Sequence, residues 1–394
     1  MDFEDLRRVT FAEPRIGAMK RMLEALLGVV QLESDGAPVN ITGFRLRNLS
    51  HWECRRPPGF NAGAFLDELA GSCNAACSFC YLKGNPPNWR ATSGSAATSY
   101  TRFLTRVSRY REREGRMLFP MFSQVHEALS HPRSLEALQE IRSRSSEWMM
   151  LTTNGIALTE SVVRKLGSLN PVHITVSMNS TRPTTRSQLM GDQNPELALG
   201  SLALLREAEI PFAVSCVPWP TIPLEEIENC LRYADESEAE RLIVSLPGYT
   251  KYNAPQAGSF NTLSHWAIVT ARLAPLRYEL ESPILILPSA FETALDRQPL
   301  SRAKVLGVGR NSPAWISGLR VGDAITRVND EIVISGAHAT DLVRKALRNR
   351  IVDIPVGVDR AGHSLALALR PCGPNYPYFP TLGPGVLGIY VPLR

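Results

Sequence analysis

Cys73, Cys77 and Cys80 stand within eight residues, in Gly71-Ser-Cys-Asn-Ala-Ala-Cys-Ser-Phe-Cys-Tyr81. Their spacing is C-x3-C-x2-C, and Phe79 precedes the last of them. Three thiolates on one tight loop can hold three irons of a cubane cluster and leave the fourth iron open. An open iron can bind a small molecule and pass it an electron, so the loop predicts redox chemistry. Three other uses of these thiols stand beside that one. A structural zinc would need a fourth ligand, from Cys54 or a remote histidine. A disulfide would leave one cysteine over, and seven cysteines scattered through 394 residues form no extracellular framework. Burial as ordinary small hydrophobes leaves the spacing unexplained.

The segment resembles the radical S-adenosylmethionine (radical SAM) superfamily, whose hallmark is this cysteine spacing with an aromatic residue before the third cysteine. Asn74 also fits its common Cys-Asn start. The resemblance implies that Cys73, Cys77 and Cys80 bind a [4Fe-4S] cluster, with S-adenosylmethionine (SAM) chelated at the open iron. It further implies a low-potential electron donor of the flavodoxin or ferredoxin type, and an oxygen-sensitive centre. Phe79 and Tyr81 are then expected near the adenine.

The elements that must position this loop follow from length and pattern. The chain has room for two or three domains. Its 44% hydrophobic and 21% charged residues are those of an ordinary soluble protein. Net charge is only +5 and no basic block stands out, so nucleic acid is not an expected partner. No stretch approaches the length of a membrane span. The charged start, Met1 to Arg8, lacks the layout of a signal peptide. With unpaired cysteines and a cluster, a reducing cytoplasm is the expected location.

Residues 1–60 read as a helical or irregular extension. From Ala64, short apolar runs alternate with helical patterns. Candidate strands are 64–69, Met117–Ser123, Trp148–Thr153, Val172–Met178, Phe212–Val217, Arg241–Leu246 and Ile284–Leu287. Most are continuous, as expected of parallel strands covered on both faces. One intervening helix should be capped by Asn194, start at Pro195 and present Leu197, Leu202, Leu204 and Leu205. The fold class is therefore α/β, and the resemblance makes residues 61–295 a partial (βα)6-type, TIM-like barrel. Chemistry on such barrels gathers at the carboxyl ends of the strands.

The grammar changes after residue 296. Ser312-Pro313 opens a turn, Gly318 ends a short helical piece, and Ala324, Ile325 and Val328 lead a strand into the Asn329-Asp330 turn. Ala339, Leu342, Val343, Ala346 and Leu347 stripe a helix, and Ile351–Asp359 with Ser364–Leu369 make a hairpin around Arg360-Ala-Gly362. Residues 296–370 resemble a small, β-rich PDZ-like domain of the bacterial kind. Such folds bind extended peptides by strand addition, which makes a peptide or protein substrate a candidate partner. The alternative is a module that only docks on the barrel or caps it. Residues 371–394, rich in proline, read as an irregular strap.

Further site residues lie at strand ends. Thr152-Thr-Asn154-Gly resembles a Thr-Asn-Gly common there in radical SAM proteins, which makes Asn154 a cofactor-binding candidate. Ser177 and Asn179 are expected to contact ribose or methionine, and Arg186 is a further cofactor-binding candidate, since an arginine can meet a carboxylate bidentately. The alternative for these residues is a helix cap and surface ion pairs. The superfamily's Gly-Gly-Glu segment, which holds the amino group of the methionine moiety, is replaced by Phe122-Ser-Gln-Val-His-Glu127. Ser123, Gln124 and Glu127 are the substitutes there, and His126 is a candidate proton donor. Segments His173–Asp192, Ile210–Pro220 and Leu242–Tyr252 look like a little-characterised radical SAM group whose PDZ-like part precedes the barrel. Tyr249 and Lys251, in Pro247-Gly-Tyr-Thr-Lys251, are substrate-site candidates. Cys54, Cys216, Cys230 and Cys372 form no second cluster motif, and Cys216 reads as a buried hydrophobe. The resemblance thus implies hydrogen abstraction from a substrate, either a peptide or a small molecule. A third reading is a peptide-binding scaffold that has lost SAM, since the glycines are missing.

Overall fold

Five short runs become parallel strands in the order of the chain: β1 (Met149–Thr153), β2 (Val172–Ser177), β3 (Phe212–Cys216), β4 (Arg241–Ser245) and β5 (Ile284–Leu287). A computed structural model describes residues 33–34, 37–38, 69, 73–80, 96–108, 127–144, 149–247, 262–287, 303–349, 351, 353–370, 385–386 and 389–390. Neighbouring strands are in register through Thr152 and Thr175, Ser177 and Ser215, and Ser215 and Ile243. Each connection carries helices: α1 (Glu160–Gly167) after β1, α2 (Pro183–Met190) and α3 (Pro195–Glu207) after β2, α4 (Leu224–Glu236) after β3, α5 (Thr262–Leu273) after β4. Helical crossovers between sequential parallel strands are the expected way to build such a sheet.

The two faces of the sheet differ. Leu151, Ile174, Val176, Val214, Val244 and Ile286 share one apolar core with Val163, Leu166, Leu202, Leu205, Ile227 and Trp266 of the helices. The alternating residues Thr152, Thr175, Ser177, Ser215 and Ser245 lie outside that core. Strands read as continuous thus carry a buried alternation, apolar toward the helices and rich in small hydroxyls on the other side. Thr175 Oγ1 is buried there without a partner among the described residues.

Several local expectations change. Leu69, the end of the expected 64–69 strand, is helical; Ala64-Phe-Leu-Asp-Glu-Leu-Ala70 is rich in helix formers. The expected strand 117–123 lies outside the described residues. Asn194 holds the cap position of α3, but its side chain makes no cap bond. Its backbone N–H instead donates to Asp192 Oδ1 at 2.9 Å. Leu197 is exposed because it sits five residues before Leu202, about 140° around the helix.

The C-terminal segment forms a separate core around Val305, Ile325, Val328, Val343, Val356 and Val358. Strands β6 (Ala303–Lys304), β8 (Ala324–Val328), β9 (Glu331–Ile332), β10 (Ile354–Arg360) and β11 (His363–Leu369) make one antiparallel sheet. Helix α6 (Pro313–Ile316) is capped by Ser312, and α7 (Gly336–Arg348) by Ser335. Arg360 pairs with His363 across a two-residue turn in which Ala361 and Gly362 both have positive φ, the geometry that matches strand twist. The tail is not wholly irregular. Its strand Ile389–Tyr390 (β13, after β12, Gly385–Val386) pairs with β7 (Gly307–Val308), and Ile389 is buried in this second core.

One arginine fastens this segment to the parallel sheet. Arg310 donates to Asp235 Oδ1 at 3.1 Å and to Ser282 Oγ at 3.2 Å, and pairs with Glu281 at 2.9 Å. Burial pushes Asp235 upward, but hydrogen bonds from Ser282 and Arg310 outweigh it and leave the carboxyl below its usual range. Asp235 precedes β4 and Ser282 precedes β5, so the contact lies at the amino ends of the strands. No helix of the described residues is long and apolar enough to cross a membrane.

Candidate functional site

The cysteine loop is held at the opposite, carboxyl end of the strands. Ala76 N–H donates to Met190 O at 2.6 Å and Ser78 N–H to Leu189 O at 2.8 Å, pinning the loop to the last turn of α2. Gly191 ends that helix at φ 63°. A Cβ there would stand 2.8 Å from the Ala76 Cβ, so the position needs glycine for its backbone and for the close approach. Cys77 and Phe79 pack against Leu189, Met190, Trp219 and Ile222, and the Phe79 and Trp219 ring centroids are 6.4 Å apart.

The three thiols differ in surroundings. Cys73 is exposed, while Cys77 and Cys80 are half-buried. Burial pushes the Cys77 thiol up to about 12, with Cys80 and Cys73 adding to the rise. Burial also raises Cys73. Both thiols therefore stay protonated at neutral pH until a cation displaces the proton, as metal binding does. Among the described residues no three His, Cys, Asp or Glu side chains gather closely enough to hold a metal ion. A cubane makes a different demand, one thiolate on each of three irons, and three thiols on one loop pinned to α2 suit that demand. Ser78 Oγ, inside the loop, is buried without a partner among the described residues.

Beside the loop, the end of β1 is fixed from below. Glu127 accepts from Asn154 N–H at 2.6 Å, from Thr153 Oγ1 at 2.9 Å and from Leu129 N–H at 3.2 Å. Burial drives its carboxyl up to about 7 against the opposing pull of those donors. The Asn154 amide donates to Asn74 Oδ1 at 2.7 Å and lies 3.8 Å from Cys73 Sγ.

The end of β2 is organised by a fully buried arginine. Arg186 pairs with Asp192 at 2.7 Å and donates to the carbonyls of Ser177 at 2.9 Å and Met178 at 2.6 Å, and to that of Asn154. It is no surface ion pair. Its carboxylate partner is Asp192 of the protein itself. Asn179, at φ 63°, accepts from Val217 N–H at 2.7 Å and donates to Met190 Sδ, joining β2 to β3 and to the helix under the loop. Arg182 is exposed and pairs with the buried Glu226 at 2.6 Å.

The fold thus brings together Cys73, Cys77, Cys80, Phe79, Glu127, Asn154, Ser177, Asn179 and Arg186. Tyr81, Ser123, Gln124, His126, Tyr249 and Lys251 lie outside the described residues, as do Cys54 and Cys372. Cys216 is buried in the helix-facing core beside Cys230, so it does not face the side of the small hydroxyls. Sequence reasoning missed Asn74 as a partner of Asn154, and Asp192, Gly191 and Trp219. The one available signal was Gly191 directly after the apolar pair Leu189-Met190, a place where a helix can end; the other partnerships span tens of residues or reverse direction after a turn.

Residues 68–234 match the family model described as radical SAM superfamily. No curated protein matches. Among solved structures, the chain is similar to Streptococcus suis SuiB bound to S-adenosylmethionine, with TM-score 0.44 and 14% identity, over 65% of this chain and 57% of that one. SuiB bound to precursor peptide SuiA gives TM-score 0.43 and 14% identity, over 63% and 54%. Histidine-tagged anSMEcpe with bound AdoMet gives 0.38 and 13%, over 54% and 58%. The chain spans little more than half the length of these structures.

Proposed function

From the premise that residues 68–234 form a radical SAM domain, an enzyme domain that works with a [4Fe-4S] cluster and SAM, we propose that this chain abstracts hydrogen from a substrate. Cys73, Cys77 and Cys80 hold the cluster. The observation that carries this reading is the pinned three-thiol loop at the carboxyl end of the sheet. When bound, cluster and SAM supply a carbon-centred radical by reductive cleavage of a carbon–sulfur bond.

The chain's own residues orient and enclose. Phe79, with Trp219 behind it, offers an aromatic surface for adenine, and Tyr81 is a second candidate. Ser177, half-buried on the hydroxyl-rich face, is the contact for ribose or the methionine carboxylate. Asn179 and Arg186 serve by fixing the strand ends, since their polar atoms are engaged within the protein. Glu127 acts in the same way on Asn154, leaving Ser123 and Gln124 as candidates for the methionine amino group. His126, Tyr249 and Lys251 remain candidates for proton transfer and substrate contact.

For the substrate, we favour a peptide or protein recruited by a PDZ-like C-terminal domain. The Arg310 contacts at the amino ends of β4 and β5 support recruitment from behind the barrel, or bracing, over a lid at its mouth. A small-molecule substrate with the C-terminal domain as brace is the second reading. An electron donor of the flavodoxin or ferredoxin type completes the system, and free thiols at the five described cysteines support a reducing cytoplasm.

Anaerobic reconstitution with iron, sulfide, SAM and reductant tests the reaction. Formation of 5′-deoxyadenosine, lost in Cys77→Ala, is expected. No such product under any substrate condition would favour the non-catalytic scaffold. Polarisation binding of a peptide library to the full chain separates the two substrate readings, and no affinity would favour the brace.

A further inference from the structure

We propose that Asn154 is a positioning residue for the cluster itself: its side-chain amide donates to the Cys73 sulfur and raises the cluster's reduction potential. The inference rests on the reading of the cysteine loop as a cluster holder.

The orientation of the amide is set by its neighbours. Ile156 N–H donates to Asn154 Oδ1 at 3.0 Å, and a backbone donor cannot face an NH2 group. That leaves Nδ2 pointing at Asn74 Oδ1, 2.7 Å away, and Cys73 Sγ, 3.8 Å away. The backbone is gripped from both sides, the N–H by Glu127 and the carbonyl by Arg186. These contacts fix the backbone from which the side chain projects, and the bonds to Ile156 N–H and Asn74 Oδ1 fix where its amide points.

The three sulfurs are not equivalent. Cys77 packs among Leu189, Met190, Trp219 and Ile222, whereas Cys73 already receives Ala75 N–H at 3.4 Å and has Asn154 beside it. Hydrogen bonds to cluster sulfurs are among the factors that set reduction potential. A donor stabilises the more negative, reduced state, so a donor at Cys73 makes reduction easier. Outer partners of this kind are a general part of metal-site design.

The test is a spectroelectrochemical titration of the reconstituted full chain, with iron and sulfide content measured on each sample. Asn154→Ala should shift the potential to more negative values. Asn154→Asp keeps an oxygen for Ile156 N–H, replaces the donor with a charged acceptor, and should shift it further. Asn74→Ala leaves the amide free for sulfur and should not lower the potential. Fully loaded Asn154→Ala and Asn154→Asp proteins with wild-type potentials would overturn the proposal. Loss of cluster from both would overturn it too, assigning Asn154 to assembly of the loop. A wild-type chain that takes up no iron is a separate outcome, which removes the functional reading and this inference together.

Discussion

Gly191 and Ala76 approach so closely that a Cβ on the glycine would stand 2.8 Å from the Ala76 Cβ. This contact joins the end of a helix to the middle of the cysteine loop, between Cys73 and Cys77. It makes the loop's position depend on a residue more than a hundred positions away in the chain.

Gly191→Ala should loosen the loop. Left-handed backbone at a non-glycine residue costs about 1–2 kcal/mol, and the overlap with Ala76 adds to that. The expected result is a modestly lower Tm with a larger loss of iron uptake. Unchanged iron content in a folded variant would show that the loop does not need this contact.

Glu127 should make the cluster-free protein's stability depend on pH. Its folded carboxyl sits near 7, above the ordinary value of 4.5, so between those values the folded state holds a proton that the unfolded state has released. Stability is then greatest below the unfolded value and falls as pH rises toward the folded one, by about 3 kcal/mol in all. Denaturant titrations from pH 4 to 8 should show this slope, and Glu127→Gln should remove the share that belongs to this group.

Asp192→Ala should be among the most damaging single changes in the domain. It leaves the Arg186 guanidinium charged and fully buried, a loss of about 3–5 kcal/mol. Because Arg186 also holds the carbonyls of Asn154, Ser177 and Met178, SAM affinity should fall with stability. Equilibrium unfolding and calorimetric SAM binding measure the two effects.

Arg310→Ala should free the C-terminal domain without disturbing the cysteine loop. The partly buried guanidinium serves Asp235, Ser282 and Glu281 together, and its loss should cost about 1–3 kcal/mol. Amide exchange should rise in the segments around residues 235 and 282, while cluster content stays at the wild-type level. Equal exchange in both proteins would mean that other contacts hold the domain.

Much of the C-terminal domain was legible because its signals are local. Ser312, Gly318, Asn329 and the Arg360-Ala-Gly362 turn act within a few residues, and each occurs where expected. The parallel strands were legible for a similar reason, as short apolar runs between helical stretches. Their two different faces were not, because Ser177 and Ser215 become a polar pair only once β2 and β3 lie in register. Leu69 is helical where a strand was expected, because an apolar segment of that length suits a helix as well as a strand.

By itself the sequence determined the chemistry on offer: three thiols at C-x3-C-x2-C spacing, brought onto one loop by covalent proximity alone. Tertiary structure decided what surrounds them. It set Gly191 under Ala76, turned Asn154 toward Cys73, and enclosed Arg186 with Asp192. It also attached the C-terminal domain at the far end of the strands through Arg310. Those choices depend on contacts between distant segments, whose partners the spacing of residue types does not encode. They exist only when packing of the apolar face has drawn the strand ends together.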